Sequence, residues 1–403
     1  MILDQLRERY PRVAIVHDWL TIPGGSEQVV IELLEMFPTA EIFTSIYEPS
    51  AWPSIINDRP IHSSFLQRVP RATTQYPKLL PLMTYGFRAF DLSRFDLVLS
   101  SSHACAKNVR VPPGVLHVCY CHTPMRYAWE EGFLEGEQVG RAARLVLKPL
   151  LAHLRRQDLA GAAGPDLFVA NSQHVASRIE RYYGRTAEVV HPPVDVESFL
   201  DLPRSPSDFY LVFGRVVPYK RVDLAVEACT RLGRRLKVAG DGRALDSVRA
   251  IVQRPGKGEG KGTGKERETA NIELLGRVDE AQRDALLHGA RALLFPGEED
   301  FGIVPVEAQA AGVPVVAYGV GGARESVLDG RTGVLFARQS VESLVAALER
   351  FEELALDEAD VRANAVRFGR LRFREEMAGA IDRAARLKAA EAPIRPVAQG
   401  MLR

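Results

Sequence analysis

The chain has 403 residues, enough for two domains of ordinary size, each with its own core. Its net charge of +1, with 52 Lys and Arg against 51 Asp and Glu, argues against a bulk nucleic-acid binder, which would carry a basic excess. No run of eighteen apolar residues is present, so no spanning helix is expected. The start, MILDQLRERYPRVAIVHDW, has charges where a secretory leader needs an apolar core, and reads as cytoplasmic. Four cysteines show no disulfide framework. Cys119 and Cys121 are one residue apart, which suits two small strand residues on one face.

In chain order, RVAIVHD (12–18) reads as an apolar strand and TIPGGSEQ as a turn. VVIELLEMF has helical spacing. AEIFTSI, FDLVLSSS, LHVCYCH, DLFVANS and AEVVHPP repeat one theme: an apolar run that breaks into small or polar residues. Buried parallel strands have this pattern because helices cover both faces. A linker at 201–208 follows, and five more such strands are expected: FYLVFGR, RLKVAGDG, ANIELLGR, RALLFPG and VPVVAYG. The pattern predicts two doubly wound α/β halves in tandem, 1–203 and 204–371, with a terminal segment 372–403. PGKGEGKGTGKERE (255–268) reads as a charged insertion. ANAVRFGRLRFREEMAGAIDRAARLKAAEA (363–392) reads as one long helix, and the tail beyond it as frayed.

In open parallel sheets ligands bind beyond the C-terminal strand ends, and the polar clusters fall there. Gly24 and Gly25 suit close approach of backbone N–H groups to an anion, or a plain tight turn. His103, after SSS, fits a helix start or the floor of a cleft. Arg215 and Lys220 follow the first strand of the second half, where cations oppose a helix dipole and suit a diphosphate. In GEEDFGIVPVEAQAAG the helix is expected to begin near Val304, with Pro305 in its first turn. Glu299 then lies before the loop and Glu307 early on the helix. Each is able to grip vicinal hydroxyls, or to be an ordinary loop acid and a first-turn acid.

These motifs together resemble the retaining glycosyltransferases of family 4 with the GT-B fold: HDWL with PGGSE, SSSHA, the G-R…P…K stretch, GRV, E-x7-E around FGIV, and VGGARESVLDGRTGVLF. HDWL, CHTPMRYAW and EEDFGIVPVEAQAAG are most similar to bacterial mannosyltransferases of O-antigen and exopolysaccharide synthesis. The resemblance implies two Rossmann-like domains around a cleft, with the C-terminal helix crossing back to the first. It implies a nucleotide-sugar donor, with GDP-mannose as the best match, and a glycan or polyprenyl-linked acceptor. Arg215 and Lys220 would hold the diphosphate, Glu307 the ribose, Glu299 and His103 the sugar, and Val278 the base. Gly24, Gly25, Phe301, Gly302, Ile303 and Val304 would act through main chain. His122 and Arg126 would face the acceptor. No metal or other cofactor is expected, since the chain has no D-x-D and the two cations can do the electrostatic work.

The segment 65–96 mixes aromatic, apolar and basic residues. It suits either a bilayer surface that presents a lipid-linked glycan or an ordinary core segment. A UDP-sugar transferase of the same family, a sugar-nucleotide epimerase of the same fold, and a non-catalytic sugar-nucleotide binder are the alternatives. E-x7-E argues against the epimerase, and His103 with the Arg215–Lys220 pair against the mere binder.

Overall fold

The computed structural model describes residues 2–130, 141–200, 204–253 and 272–391. The insertion expected at 255–268, the first residues of the linker and the tail from 393 lie outside them. Seven strands form the first sheet: β1 Val13–His17, β2 Glu41–Thr44, β3 Ile61–Ser63, β4 Leu97–Ser102, β5 Leu116–Cys121, β6 Leu167–Ala170 and β7 Ala187–Val189. All pairings are parallel, in the order β3-β2-β1-β4-β5-β6-β7. Every residue of β1, β4 and β5 is buried, as expected for strands covered on both faces. Cys119 and Cys121 share one apolar cluster with Phe168 and Val175, as their spacing of two requires.

The second sheet is also parallel and has six strands: β8 Phe209–Phe213, β9 Arg235–Ala239, β10 Ile272–Gly276, β11 Ala292–Phe295, β12 Val315–Tyr318 and β13 Gly333–Phe336. Their order is β10-β9-β8-β11-β12-β13. The sequence reading expected five here, and it also passed over β3. Both missed strands are short and sit at sheet edges, where no long apolar run marks them. In each sheet the order reverses beside the first strand, between β1 and β4 and between β8 and β11. That reversal opens a crevice at the C-terminal strand ends.

The long terminal helix expected over 363–392 is two helices, Glu358–Val366 and Arg370–Glu391. The break comes where the chain crosses between the sheets. Phe368 is buried in the second core, its carbonyl accepts from Val194 N at 2.9 Å, and Gly369 bridges to Val194. Beyond the break, Phe373, Met377 and Ile381 pack into the core of the first sheet with Ile15, Leu33 and Tyr120. The last helix therefore belongs to the first sheet by packing, although it follows the second in sequence.

Candidate active site

The wall formed by the first sheet is built on Asp18, immediately after β1. Its buried carboxylate accepts the backbone N–H groups of His103, Ala104, Cys105 and Ala106 at 2.5 to 2.9 Å. One side chain thus organises the whole turn that leaves β4. Burial alone would raise the Asp18 carboxyl, but His103, His17 and the N–H bonds outweigh it and hold it below the ordinary value. His103 Nδ1 lies 3.3 Å from Asp18 Oδ2, and the Trp19 ring meets His103 edge-on at 4.4 Å. Burial holds the His103 imidazole below its usual value in spite of that carboxylate, so it favours the neutral form.

Behind His103 runs a chain of buried polar groups. His17 contacts Ser101 Oγ at 3.0 Å through Nδ1 and Glu27 at 3.2 Å through Nε2. Ser101 Oγ also contacts His122 Nε2 at 2.8 Å. Burial, with His103 and His17 nearby, pushes His122 down to about 3, so it is neutral at ordinary pH. The block CHTPMRYAW is anchored in the same way. Trp129 Nε1 and Tyr183 Oη each donate to Asp158 Oδ2 at 2.7 Å, and Lys107 pairs with the other oxygen.

The facing wall collects at the ends of β8 and β11. Lys220 closes a short turn, Pro218–Lys220, and its Nζ lies 2.9 Å from Glu299 Oε1. Burial alone would lower the Lys220 ammonium, but Glu299 holds it above its usual value, so it stays charged. The next residue, Arg221, is held at φ 52°, a left-handed conformation that a non-glycine residue adopts at a cost. Arg215 is exposed and carries no ion pair among the described residues. Glu307 is half-buried and has neither a hydrogen bond nor an ion pair in its side chain among them. Burial raises its carboxyl, with Arg283 opposing.

The helix expected near Val304 runs Ile303–Ala310, and Pro305 is in its first turn. Gly302 precedes it at φ 88°, where any Cβ would also strike the Phe295 ring. The Phe301 side chain is core, packed on His191 and Phe368, which leaves only its main chain for a ligand. Gly322 lies so close to Phe301 that a Cβ would sit 2.2 Å from its Cα, and Gly322 N donates to Glu299 O at 2.9 Å. VGGAR thus supports the Glu299–Phe301 loop by backbone contact. Across the cleft, Gly25 approaches Ile303 so closely that a Cβ would lie 2.6 Å from Cδ1.

Of the sequence-predicted residues, Gly24, Gly25 and His103 lie on the first wall, and Arg215, Lys220, Glu299, Gly302, Ile303, Val304 and Glu307 on the second. Val278 follows β10 and packs at the rim of the second core. A cavity of about 590 Å³ beside Val278 runs along the helix Glu280–Gly289, outside the cleft. His122 is engaged with Ser101. Arg126, expected to face the acceptor, pairs instead with Asp300 Oδ2 at 2.8 Å across the domain boundary. The sequence reading missed Asp18, His17, Glu27, Asp300 and Glu325, although all five lie in quoted motifs, HDWL, PGGSE, EED and VGGARES. Among the described residues no group of three His, Cys, Asp or Glu is arranged to hold a metal ion. None of the described helices is long and apolar enough to cross a membrane.

Two family models cover the cleft. One described as Glycosyltransferase Family 4 matches residues 23–198, and one described as Glycosyl transferases group 1 matches 201–372. A D-inositol 3-phosphate glycosyltransferase of Gordonia bronchialis is 31% identical over 235 residues, 52% of this chain and 49% of that protein. A glycogen synthase of Mycobacterium tuberculosis is 34% identical over 152 residues, 36% of this chain and 34% of that protein. The matched stretch thus spans half or less of the length of these two relatives. Anabaena HepE, solved with UDP-glucose, superposes with a TM-score of 0.64 at 18% identity, over 92% of this chain and 99% of that one, a likeness of fold. The two family matches run through both walls, and the chain belongs to the group 1 glycosyl transferases of glycosyltransferase family 4, built on the GT-B fold.

Proposed function

We propose that the chain transfers a hexose from a nucleoside diphosphate sugar to a glycan or polyprenyl-linked acceptor, with retention at the anomeric carbon. The observation that carries this reading is the carboxylate of Glu307, without an ion pair among the described residues, one turn into a helix that starts at Ile303, a few residues after Glu299 and its Lys220 partner. A ribose suits Glu307, which has acceptor capacity and no donor of its own. A diphosphate suits Lys220, Arg215 and the helix N-terminus. The sugar then lies toward Glu299 and His103.

In the proposed step the acceptor hydroxyl oxygen bonds to the anomeric carbon on the face the diphosphate leaves. The bond from that carbon to the phosphate oxygen breaks, its electron pair stays on the phosphate, and the hydroxyl proton passes to the same oxygen. Lys220 and Arg215 meet the charge that develops there. Neither Glu299 nor Glu307 needs to act as a nucleophile, unlike the paired acids of retaining hydrolases.

GDP-mannose is the donor favoured by the resemblance of HDWL, CHTPMRYAW and EEDFG. A UDP-sugar is the second reading, favoured by the UDP-glucose complex of the structural neighbour. Heat stabilisation against GDP-mannose, UDP-glucose, UDP-GlcNAc and ADP-glucose, followed by a transfer assay with the best binder, tests the proposal. Stabilisation by none of the four overturns it. For the acceptor, a lipid-linked glycan is supported by the stretch Arg59–Phe90. It holds Arg59, Arg68, Arg71, Lys78 and Arg88 without a single acid, and exposes Phe65, Leu82 and Tyr85. Such a composition suits an anionic bilayer. Failure to co-sediment with phosphatidylglycerol vesicles at low salt counts against that acceptor.

A further inference from the structure

Asp300 stands between Glu299 and Phe301, on the loop that enters the helix Ile303–Ala310, yet its carboxylate is held by the opposite domain. Oδ1 lies 2.7 Å from Arg178 Nη1, and Oδ2 lies 2.8 Å from Arg126 Nη2. Thr123 Oγ1 donates to Oδ1 from 3.4 Å, and Ser172 Oγ donates to the Asp300 backbone oxygen at 2.6 Å. The two arginines come from separate elements, the turn Arg126–Trp129 after β5 and the helix Gln173–Tyr183 after β6. Burial alone would raise the Asp300 carboxyl, but Arg126 and Arg178 hold it below its ordinary value.

A second carboxylate repeats the contact from the segment that supports this loop. Glu325 accepts from the N–H groups of Gln173 and His174 at 2.9 and 3.2 Å, and contacts His191 Nε2 at 2.9 Å. Gly322 N donates to Glu299 O, which ties the loop that presents Glu299 to the helix start that presents Glu325. The Asp300 carboxylate meets both arginines only while the loop lies against the first domain. Arg178 also pairs with Glu130 of the first domain, so it is chiefly the buried Asp300 carboxylate that would lose its compensation if the loop withdrew.

We infer that Asp300 is a positioning residue for Glu299. The arginines draw the Glu299–Ile303 segment onto the first domain, and the donor site reaches its working geometry only when those pairs are made. The inference deepens the nucleotide-sugar reading of the cleft and rests on it. Asp300→Asn should lower kcat about thirtyfold while the donor KM and the Kd for free nucleotide change less than about threefold, the split expected of a residue that acts through another. Asp300→Glu, which keeps the charge, should recover part of kcat. X-ray scattering of the free protein should show a larger radius of gyration for Asp300→Asn than for wild type.

A loss of free-nucleotide affinity as large as the loss of kcat overturns the inference, because Asp300 would then touch the donor. An unchanged kcat overturns it too. If Asp300→Asn does not fold, Glu325→Gln should give the same split at smaller size, and wild-type kinetics in that variant count against the clamp. The scattering needs no donor. If no nucleotide sugar supports transfer, the functional reading falls, while an unchanged radius in Asp300→Asn overturns the clamp by itself.

Discussion

The two walls of the cleft are built on opposite plans. On the first, the titratable groups are tied mainly to one another and to the backbone: Asp18 holds four backbone N–H groups, both nitrogens of His17 are engaged, and His122 rests on Ser101, while Glu27 Oε2 and His103 Nδ1 have no hydrogen bond. On the second, Arg215 and Glu307 make no ion pair among the described residues, and Lys220 pairs with Glu299. Charged groups without an ion pair in the protein leave the second wall able to take one up from a ligand. The first wall is a preorganised surface and the second a set of open valences. The proposed transfer would use both, with fixed dipoles on the first wall toward the acceptor and exchangeable charges on the second toward the nucleotide.

Mutations that respect this contrast should separate folding from chemistry. The largest effect is expected at Asp18. Asp18→Ala strands four buried N–H groups and should cost about 3 kcal/mol or more of stability, read by chemical denaturation. Because the Asp18 carboxyl is held below its unfolded value, its contribution is present above that value and is lost as pH falls through the folded one. The variant should therefore lose the share of acid sensitivity that Asp18 contributes below about pH 4, while the other depressed carboxylates keep theirs. Unchanged stability in Asp18→Ala would break the comparison at its first wall.

Lys220→Ala should do the reverse, cutting turnover about a hundredfold or more with folding intact, since in the proposed step its charge meets the departing phosphate. Normal turnover with the best donor would remove Lys220 from the phosphate site.

The two glutamates sharpen the contrast within the second wall. Glu307→Gln should weaken free nucleotide binding about ten- to a hundredfold by calorimetry, the worth of a charge-assisted hydrogen bond. It should also raise Tm slightly. The Glu307 carboxyl is held above its unfolded value, so its ionised form costs stability at neutral pH, and the cost is relieved as pH falls. Glu299→Gln should leave nucleotide binding nearly intact, since it frees Lys220, and should impair transfer. Equal nucleotide affinity in the two variants would refute the division of labour. A stable sugar adduct by intact mass would instead make Glu299 a nucleophile.

The smallest effect is expected from chelation. Excess EDTA should leave the transfer rate unchanged if, as proposed, Arg215 and Lys220 supply the positive charge. Loss of activity restored by magnesium or manganese would disprove that.

The sequence by itself determined what is written locally. Apolar runs of strand length, breaking into small polar residues, marked eleven of the thirteen strands and hence two doubly wound halves. Gly302, Pro305 and the spacing of Glu299 and Glu307 marked a loop feeding a helix, because φ preference and first-turn chemistry act over a few residues. Those signals placed Lys220, Glu299 and Glu307 near one cleft. Asp18, Asp300 and Glu325 were legible as letters only. The groups that give them meaning lie 85, 122 and 152 residues away, at His103, Arg178 and Gln173. An acid after a strand and an acid in a loop look alike in one dimension. The break at Gly369 escaped for the same reason, since an Ala-, Arg- and Glu-rich run favours continuous helix and only the passage from one core to the other interrupts it. Burial converts a common carboxylate into the organiser of a turn or a clamp between domains, and burial is a property of the tertiary structure alone.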